Sequence, residues 1–181
     1  MRKAVLLSVQ PKWCEKMCNK IGENTDGSPI YEKRVEVRKS RPKLDTPFPV
    51  YIYQTKKTWV YNIFSKIADW QGKIIGEFVC CRIEEIKQNE VFNANVLCST
   101  TCLTIKEFLD YIGNKTAYCW HISNLVIYDK PKELSEFKKI NQPCWYGEMG
   151  ISKRDCPECQ NKDCFIQRPP QSWCYVEELS K

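Results

Sequence analysis

Histidine is nearly missing from this chain: His121 is the only one in 181 residues. A His-Glu-x-x-His metalloprotease helix therefore has nothing to form from. There is also no Gly-x-Ser-x-Gly elbow and no Walker phosphate loop, which removes the α/β-hydrolase and P-loop hydrolase classes. No segment approaches the ~18 consecutive apolar residues of a helical membrane span. The apolar run near the N-terminus is too short for a signal peptide, so a cytoplasmic protein without membrane partners is expected. Internal repeats and low-complexity tracts are absent as well.

What the chain does have is cysteine, 12 of them, at a length that supports a hydrophobic core without disulfides. In a reducing cytosol those side chains are expected to be thiols or metal ligands. The hydrophobic fraction of 43% and charged fraction of 28% are ordinary for a globular domain. The net charge of +6 is compatible with a polyanionic partner without demanding one.

The order of elements reads as α+β. Lys3 to Ser8 is a short apolar strand. Pro11 opens a helix, whose face is Trp13, Met17 and Ile21 and whose stop is Gly22. Glu23 to Pro29 is a turn-rich loop. Arg34 to Arg38 alternates polar and apolar, and Val50 to Thr55 is rich in β-formers. Lys73 to Ile86 is long and β-like, with Gly76 suited to a bulge. Thr104 and Glu107 form a capping box for a helix facing inward through Phe108, Leu109 and Ile112 and stopped by Gly113. Lys115 to Tyr128 and Trp173 to Val176 complete a mostly antiparallel set of strands. A small β-barrel with peripheral helices follows from this order.

Seven segments resemble the ASCH domain family of the PUA-like superfamily. They are Leu7-Ser-Val-Gln-Pro11, Lys33-Arg-Val-Glu-Val-Arg-Lys39, Val50-Tyr-Ile-Tyr-Gln-Thr55, Ile75-Gly-Glu-Phe78, Tyr118-Cys-Trp-His-Ile-Ser123, Tyr128-Asp-Lys-Pro131 and Pro169-Pro-Gln-Ser-Trp-Cys-Tyr-Val176. They span nearly the whole chain, so a single domain over residues 1–181 is expected. Insertions would sit at about residues 56–72 and, cysteine-rich, at about 141–168. The resemblance implies a PUA-like β-barrel with a cleft at one mouth, and binding of RNA or a modified nucleotide there.

Strand alternation puts Arg34, Glu36 and Arg38 on one face, with Lys39 beside them. Two guanidinium forks around a carboxylate can meet a phosphate or a base edge, although a solvated edge strand has the same pattern. Ser8 and Gln10 occupy the family's Ser-x-Lys-Pro segment, with Gln10 in place of the basic residue. That substitution weakens a phosphate-specific reading. Tyr53 and Thr55 are expected on one strand face. Trp120 and Trp173 are candidates for stacking on a base, or for the core. His121 is a candidate through its place in the same strand as Trp120, and Gln171 and Ser172 through their place before the last strand.

An enzymatic alternative follows from one branch of the family, small acetylcytidine amidohydrolases with a Lys-x-x-Thr-x-Arg strand and a distant glutamate. The matching residues are Lys33, Glu36 and Arg38, with Glu77 as the candidate distant acid. Glu36 replaces the threonine nucleophile, and a carboxylate is no simple substitute for an activated hydroxyl. A regulatory protein-interaction module is a further alternative.

Cys144, Cys156, Cys159 and Cys164 have the spacing of a small metal clip, with Pro157 in the turn of the Cys-x-x-Cys pair. They would hold one structural zinc, closed to substrate; free thiols or an oxidised pair are the alternatives. Cys174 is a possible substitute ligand. The clip predicts about one zinc per chain by elemental analysis of the purified protein; a value near zero leaves these residues as thiols or a disulfide.

Overall fold

The computed structural model describes residues 2–56, 67–87, 99–140 and 164–179. Six strands form one sheet in the order β4-β7-β6-β5-β1-β8. They are β1 (Lys3–Val9), β4 (Val35–Arg38), β5 (Phe48–Gln54), β6 (Ile74–Ile86), β7 (Ala117–Lys132) and β8 (Trp173–Glu177). A separate hairpin pairs β2 (Lys20–Glu23) with β3 (Pro29–Tyr31). The α-helices include α1 (Pro11–Cys18) and α2 (Ile105–Ile112). Among the described residues, no helix is long and apolar enough to cross a membrane.

β1 lies inside the sheet, parallel to β5 on one side and antiparallel to β8 on the other. Both of its faces are covered, which explains why Ala4 to Val9 is a continuous buried run rather than an alternating one. Val5, Leu7 and Val9 join a core with Val50, Ile52 and Trp120. Ala4 and Leu6 point the other way, into a core with Tyr51, Tyr53 and Phe137. A third cluster seats α2 on β4 through Phe108, Ile112, Val35 and Val37.

The parallel pairing of β1 and β5 requires a crossover. That connection carries α1, the β2–β3 hairpin and β4. α1 begins at Pro11 and ends at Cys18, where the Asn19 N–H closes on the Glu15 carbonyl and the backbone turns extended. The helix is thus shorter than the Trp13-Met17-Ile21 spacing suggests. Ile21 belongs to β2 and is 57% exposed. α2 has the predicted capping box: the Thr104 hydroxyl takes the Glu107 N–H, the Glu107 carboxylate takes the Thr104 N–H, and Gly113 follows the last turn at φ 57°.

The sheet curls until its edges approach. Arg38 of β4 reaches the Ser8 carbonyl on β1, four strands away in the ladder, at 2.6 Å. Just beyond β4, Ser40 Oγ accepts from Trp173 Nε1 at 3.0 Å, and the Lys43 N–H donates to the Tyr175 hydroxyl at 2.7 Å. No ladder joins β4 to β8 among the described residues, so the described strands form one curled six-stranded sheet whose edges do not pair. Side-chain bonds, not strand pairing, bridge the gap. The expected insertion at residues 56–72 falls largely outside the described residues, as does most of the one at 141–168.

Gly76 sits where the β6 register slips against both neighbours, between Ile52 and Tyr53 on β5 and between Ile74 and Gly76 itself on β7's side. A Cβ at this position would stand 2.3 Å from the Val126 carbonyl oxygen. Backbone cannot yield as a flexible side chain does. Gly76→Ala is therefore expected to cost about 1–3 kcal/mol, read as a lowered midpoint in denaturant unfolding.

Candidate functional site

β1 ends at Val9, Gln10 leaves the sheet, and α1 starts at once. β4 passes over this end of β1, and α2 packs on β4. Between them lies a cavity of about 610 Å³, within the ~300–1,000 Å³ of small-ligand sites. Lys33, Glu36 and Arg38 line its base; Trp13 and Leu103 contribute apolar surface; Tyr111, Glu107 and Asp110 come from α2 and its cap. Ser8, Gln10 and Thr55 lie at strand ends, and Gln171 and Ser172 come from the segment before β8.

The base is a buried charge network. Glu36 Oε1 is 2.7 Å from Arg38 Nη2 and Glu36 Oε2 is 3.2 Å from Lys33 Nζ. The Lys33 and Glu36 side chains are only 2% and 6% exposed, and that of Arg38 10%. Lys33 Nζ also donates to the carbonyls of Val35 at 2.9 Å and Thr101 at 2.8 Å. Two carbonyls take two of the three hydrogens of the ammonium group, and the carboxylate pairs its charge. Arg38 Nε is buried without a partner. The Ser8 hydroxyl donates to the Pro170 carbonyl at 2.6 Å, and the Ser8 N–H to the Ser172 carbonyl at 2.9 Å, which fixes Gln171 and Ser172 beside the opening.

Aromatic rings border this network. Lys12 Nζ and Lys33 Nζ lie 4.1 and 5.1 Å from the Trp13 ring centroid. Tyr111 is 38% exposed and has Lys39 Nζ at 4.9 Å from its ring. Burial raises the Tyr111 phenol above its ordinary pKa, with the Arg38 charge pulling down and the Glu36 charge pushing up. Both charges are therefore sensed at the Tyr111 hydroxyl, which stays protonated at neutral pH.

Of the residues predicted from sequence, Ser8, Gln10, Lys33, Glu36, Arg38, Thr55, Gln171 and Ser172 line this one cavity. The others are elsewhere. Arg34 is exposed just before β4. Its N–H bonds the Thr100 carbonyl and its own carbonyl accepts from Ile122, so the carboxylate's second cation is Lys33 instead. All four residues of β4 are buried, not every second one, because α2 covers one face and the cavity's ion pairs the other. Lys39 is exposed and touches the site only through Tyr111. Tyr53 points into the second core, away from Thr55. Trp120 is fully buried, packed edge-on to Phe48 at 5.9 Å, and Trp173 leans on it at 6.2 Å. His121 lies out on the β6–β7 ribbon, its Nε2 3.2 Å from Glu84 and 3.1 Å from Arg82.

Glu77 lines a different cavity of about 460 Å³, with Tyr51, Tyr128 and Val126, and accepts the Tyr128 hydroxyl at 2.8 Å. Lys33, Glu36 and Glu77 therefore do not meet. Cys144, Cys156 and Cys159 lie outside the described residues. Cys164 is half-buried, with the Lys139 N–H on its carbonyl. Cys174 lies in β8, its thiol pushed up to about 11 by burial. No group of three metal-ligating side chains occurs among the described residues.

Sequence reasoning missed the helical wall, namely Trp13, Leu103, Glu107, Asp110 and Tyr111. A tryptophan one turn past a strand end was the one available signal. The phase of α2 against β4 is a tertiary fact with no local mark.

A mixed α+β chain with one curled sheet and a polar cavity at the end of its first strand is the class these observations define. Crystal structures of ZmASCH from Zymomonas mobilis share that architecture. One mutant form superposes at a TM-score of 0.58 with 16% identity, over 98% of this chain and 92% of the other. A second mutant gives the same score and identity over 98% and 90%. The parent form gives 0.57 at 15% identity over 97% and 88%. The chain has the ASCH fold. No protein-family model matches the sequence, and no curated protein does.

Removing the carboxylate while leaving both cations buried is costly. Glu36→Ala is expected to destabilise the fold by about 3–5 kcal/mol, visible as a lowered midpoint in urea unfolding.

Proposed function

We propose that the cavity binds a nucleobase, as a free or modified nucleoside or as one unstacked base of a short RNA, without chemistry on it. The observation that carries this reading is the Lys33–Glu36–Arg38 network lying beneath a cavity flanked by Trp13 and Tyr111. Fixed polar groups read a planar edge, while aromatic side chains offer their faces for stacking. Gln10, Gln171 and Ser172 add neutral donors and acceptors at the opening. The ASCH fold supports this reading: the end of the curled sheet beside the cavity would correspond to the mouth of a PUA-like barrel.

A binding role fits this geometry better than hydrolysis. Lys33 is held by the Val35 and Thr101 carbonyls and by Glu36 rather than facing a nucleophile, and Glu77 stands in a separate cavity. One structural zinc held by the cysteine-rich segment would leave this reading unchanged, since a closed thiolate site staples the chain without touching the ligand.

Titration of the purified protein with nucleosides and short single-stranded RNA, followed by tryptophan fluorescence, is expected to show saturable binding. Tyr111→Ala removes an exposed ring from α2 and should weaken it by about 5- to 100-fold, the effect of one lost stacking partner. No saturable binding at low salt would sink the proposal.

A further inference from the structure

The cations beneath the cavity are already committed. Lys33 donates to the Val35 and Thr101 carbonyls and pairs its charge with Glu36 Oε2 at 3.2 Å. Arg38 Nη2 donates to the Ser8 carbonyl and pairs its charge with Glu36 Oε1 at 2.7 Å. Arg38 Nε is sealed from solvent. Of the guanidinium nitrogens, Nε and Nη1 have no protein acceptor among the described residues, and only Nη1 is open to the cavity. Glu36 differs. An ionised carboxylate has about four acceptor positions, and the two cations occupy one on each oxygen. The cavity base is thus poorer in free donors than its charges suggest, and it retains acceptor capacity.

The rim follows the same pattern. Glu107 and Asp110 bring carboxylates to the opening, and Lys12, the rim cation, is 3.5 Å from Glu107. Lys12, Lys33 and Arg38 balance Glu36, Glu107 and Asp110, so the lining has no net charge. A phosphate entering here would pass two carboxylates to reach cations whose charge Glu36 already pairs. An uncharged base with an N–H would find an open acceptor, a ring to stack on and no repulsion.

Resting on the nucleobase reading above, we infer that the cavity admits the base alone, as an uncharged ring donating an N–H to Glu36, and leaves the sugar phosphate outside. Glu36 is the specificity-determining residue, and Lys33 is a positioning residue that holds it in place.

The test compares each of the common nucleosides with its 5′-monophosphate by calorimetry, at low and high salt. The tightest nucleoside is expected to bind within about threefold of its monophosphate, and to change by less than about twofold over a tenfold rise in salt. An analogue of that nucleoside with its base N–H groups methylated should bind at least about tenfold more weakly, because Glu36 is left unpaired. A Glu107→Gln/Asp110→Asn double variant, which keeps an amide in the capping box, should raise the affinity of the monophosphate relative to the nucleoside. A monophosphate more than about tenfold tighter than its nucleoside in the unaltered protein, with a steep salt slope, overturns the inference and leaves the nucleobase reading standing. So does full binding of the methylated analogue. An unchanged ratio in the double variant overturns the assignment of the rim carboxylates. Failure of nucleosides, monophosphates and RNA alike to bind removes the nucleobase reading itself.

Discussion

One carboxylate organises the end of this molecule. Glu36 sits almost out of solvent between a lysine and an arginine, and each cation is in turn tied to backbone of another segment. Lys33 holds the Thr101 carbonyl ahead of α2, and Arg38 holds the Ser8 carbonyl at the end of β1. Burying such ions costs several kcal/mol each before their attraction returns it, so the network is a poor source of net stability. What it supplies is geometry. Three pieces of chain distant in sequence meet around a single side chain, and none can shift without uncovering a charge.

The same constraint separates the two faces of the sheet. Alternate residues of β1 enter different cores, and the cavities follow that division. The larger one opens where β1 gives way to α1. The other lies against Tyr51, Glu77 and Val126, which are cross-strand partners on β5, β6 and β7. Glu77 looked like a partner for Lys33 as long as only strand order was known. Its side chain emerges instead with the row containing Tyr51, whose neighbours in the core are Ala4 and Leu6 rather than Val5 and Leu7.

Much of this was legible where the determinant is local. Thr104 with Glu107, Pro11 after an apolar run, and the β-branched and aromatic residues around position 50 each announce their element, and each occurs as read. The eight residues of the cavity predicted from sequence are those at strand ends, where chain order and the ASCH resemblance agree. What stayed hidden depends on how elements meet. Ile21 continues a helical spacing, yet the chain leaves the helix at Asn19 because the hairpin takes over its backbone. Alternation pairs Arg34 with Glu36, but residue 33 precedes the strand, and from there the long lysine reaches the carboxylate that Arg34 turns away from. Trp120 and Trp173 carry the look of ligand-stacking residues; one fills the core and the other leans on it.

The position of β1 between β5 and β8 has a consequence for how the molecule is made. β1 leaves the ribosome long before one of its partners, Trp173–Glu177. Domains fold as their chains emerge, yet here an apolar strand must wait with one edge bare until everything between it and β8 has been made. Bare apolar edges recruit other strands. A nascent chain arrested before Trp173 would hold both hazards together: a sticky edge along β1, and a cavity missing the wall that Gln171 and Ser172 provide. The cavity gains its last wall only when β8 seats against β1.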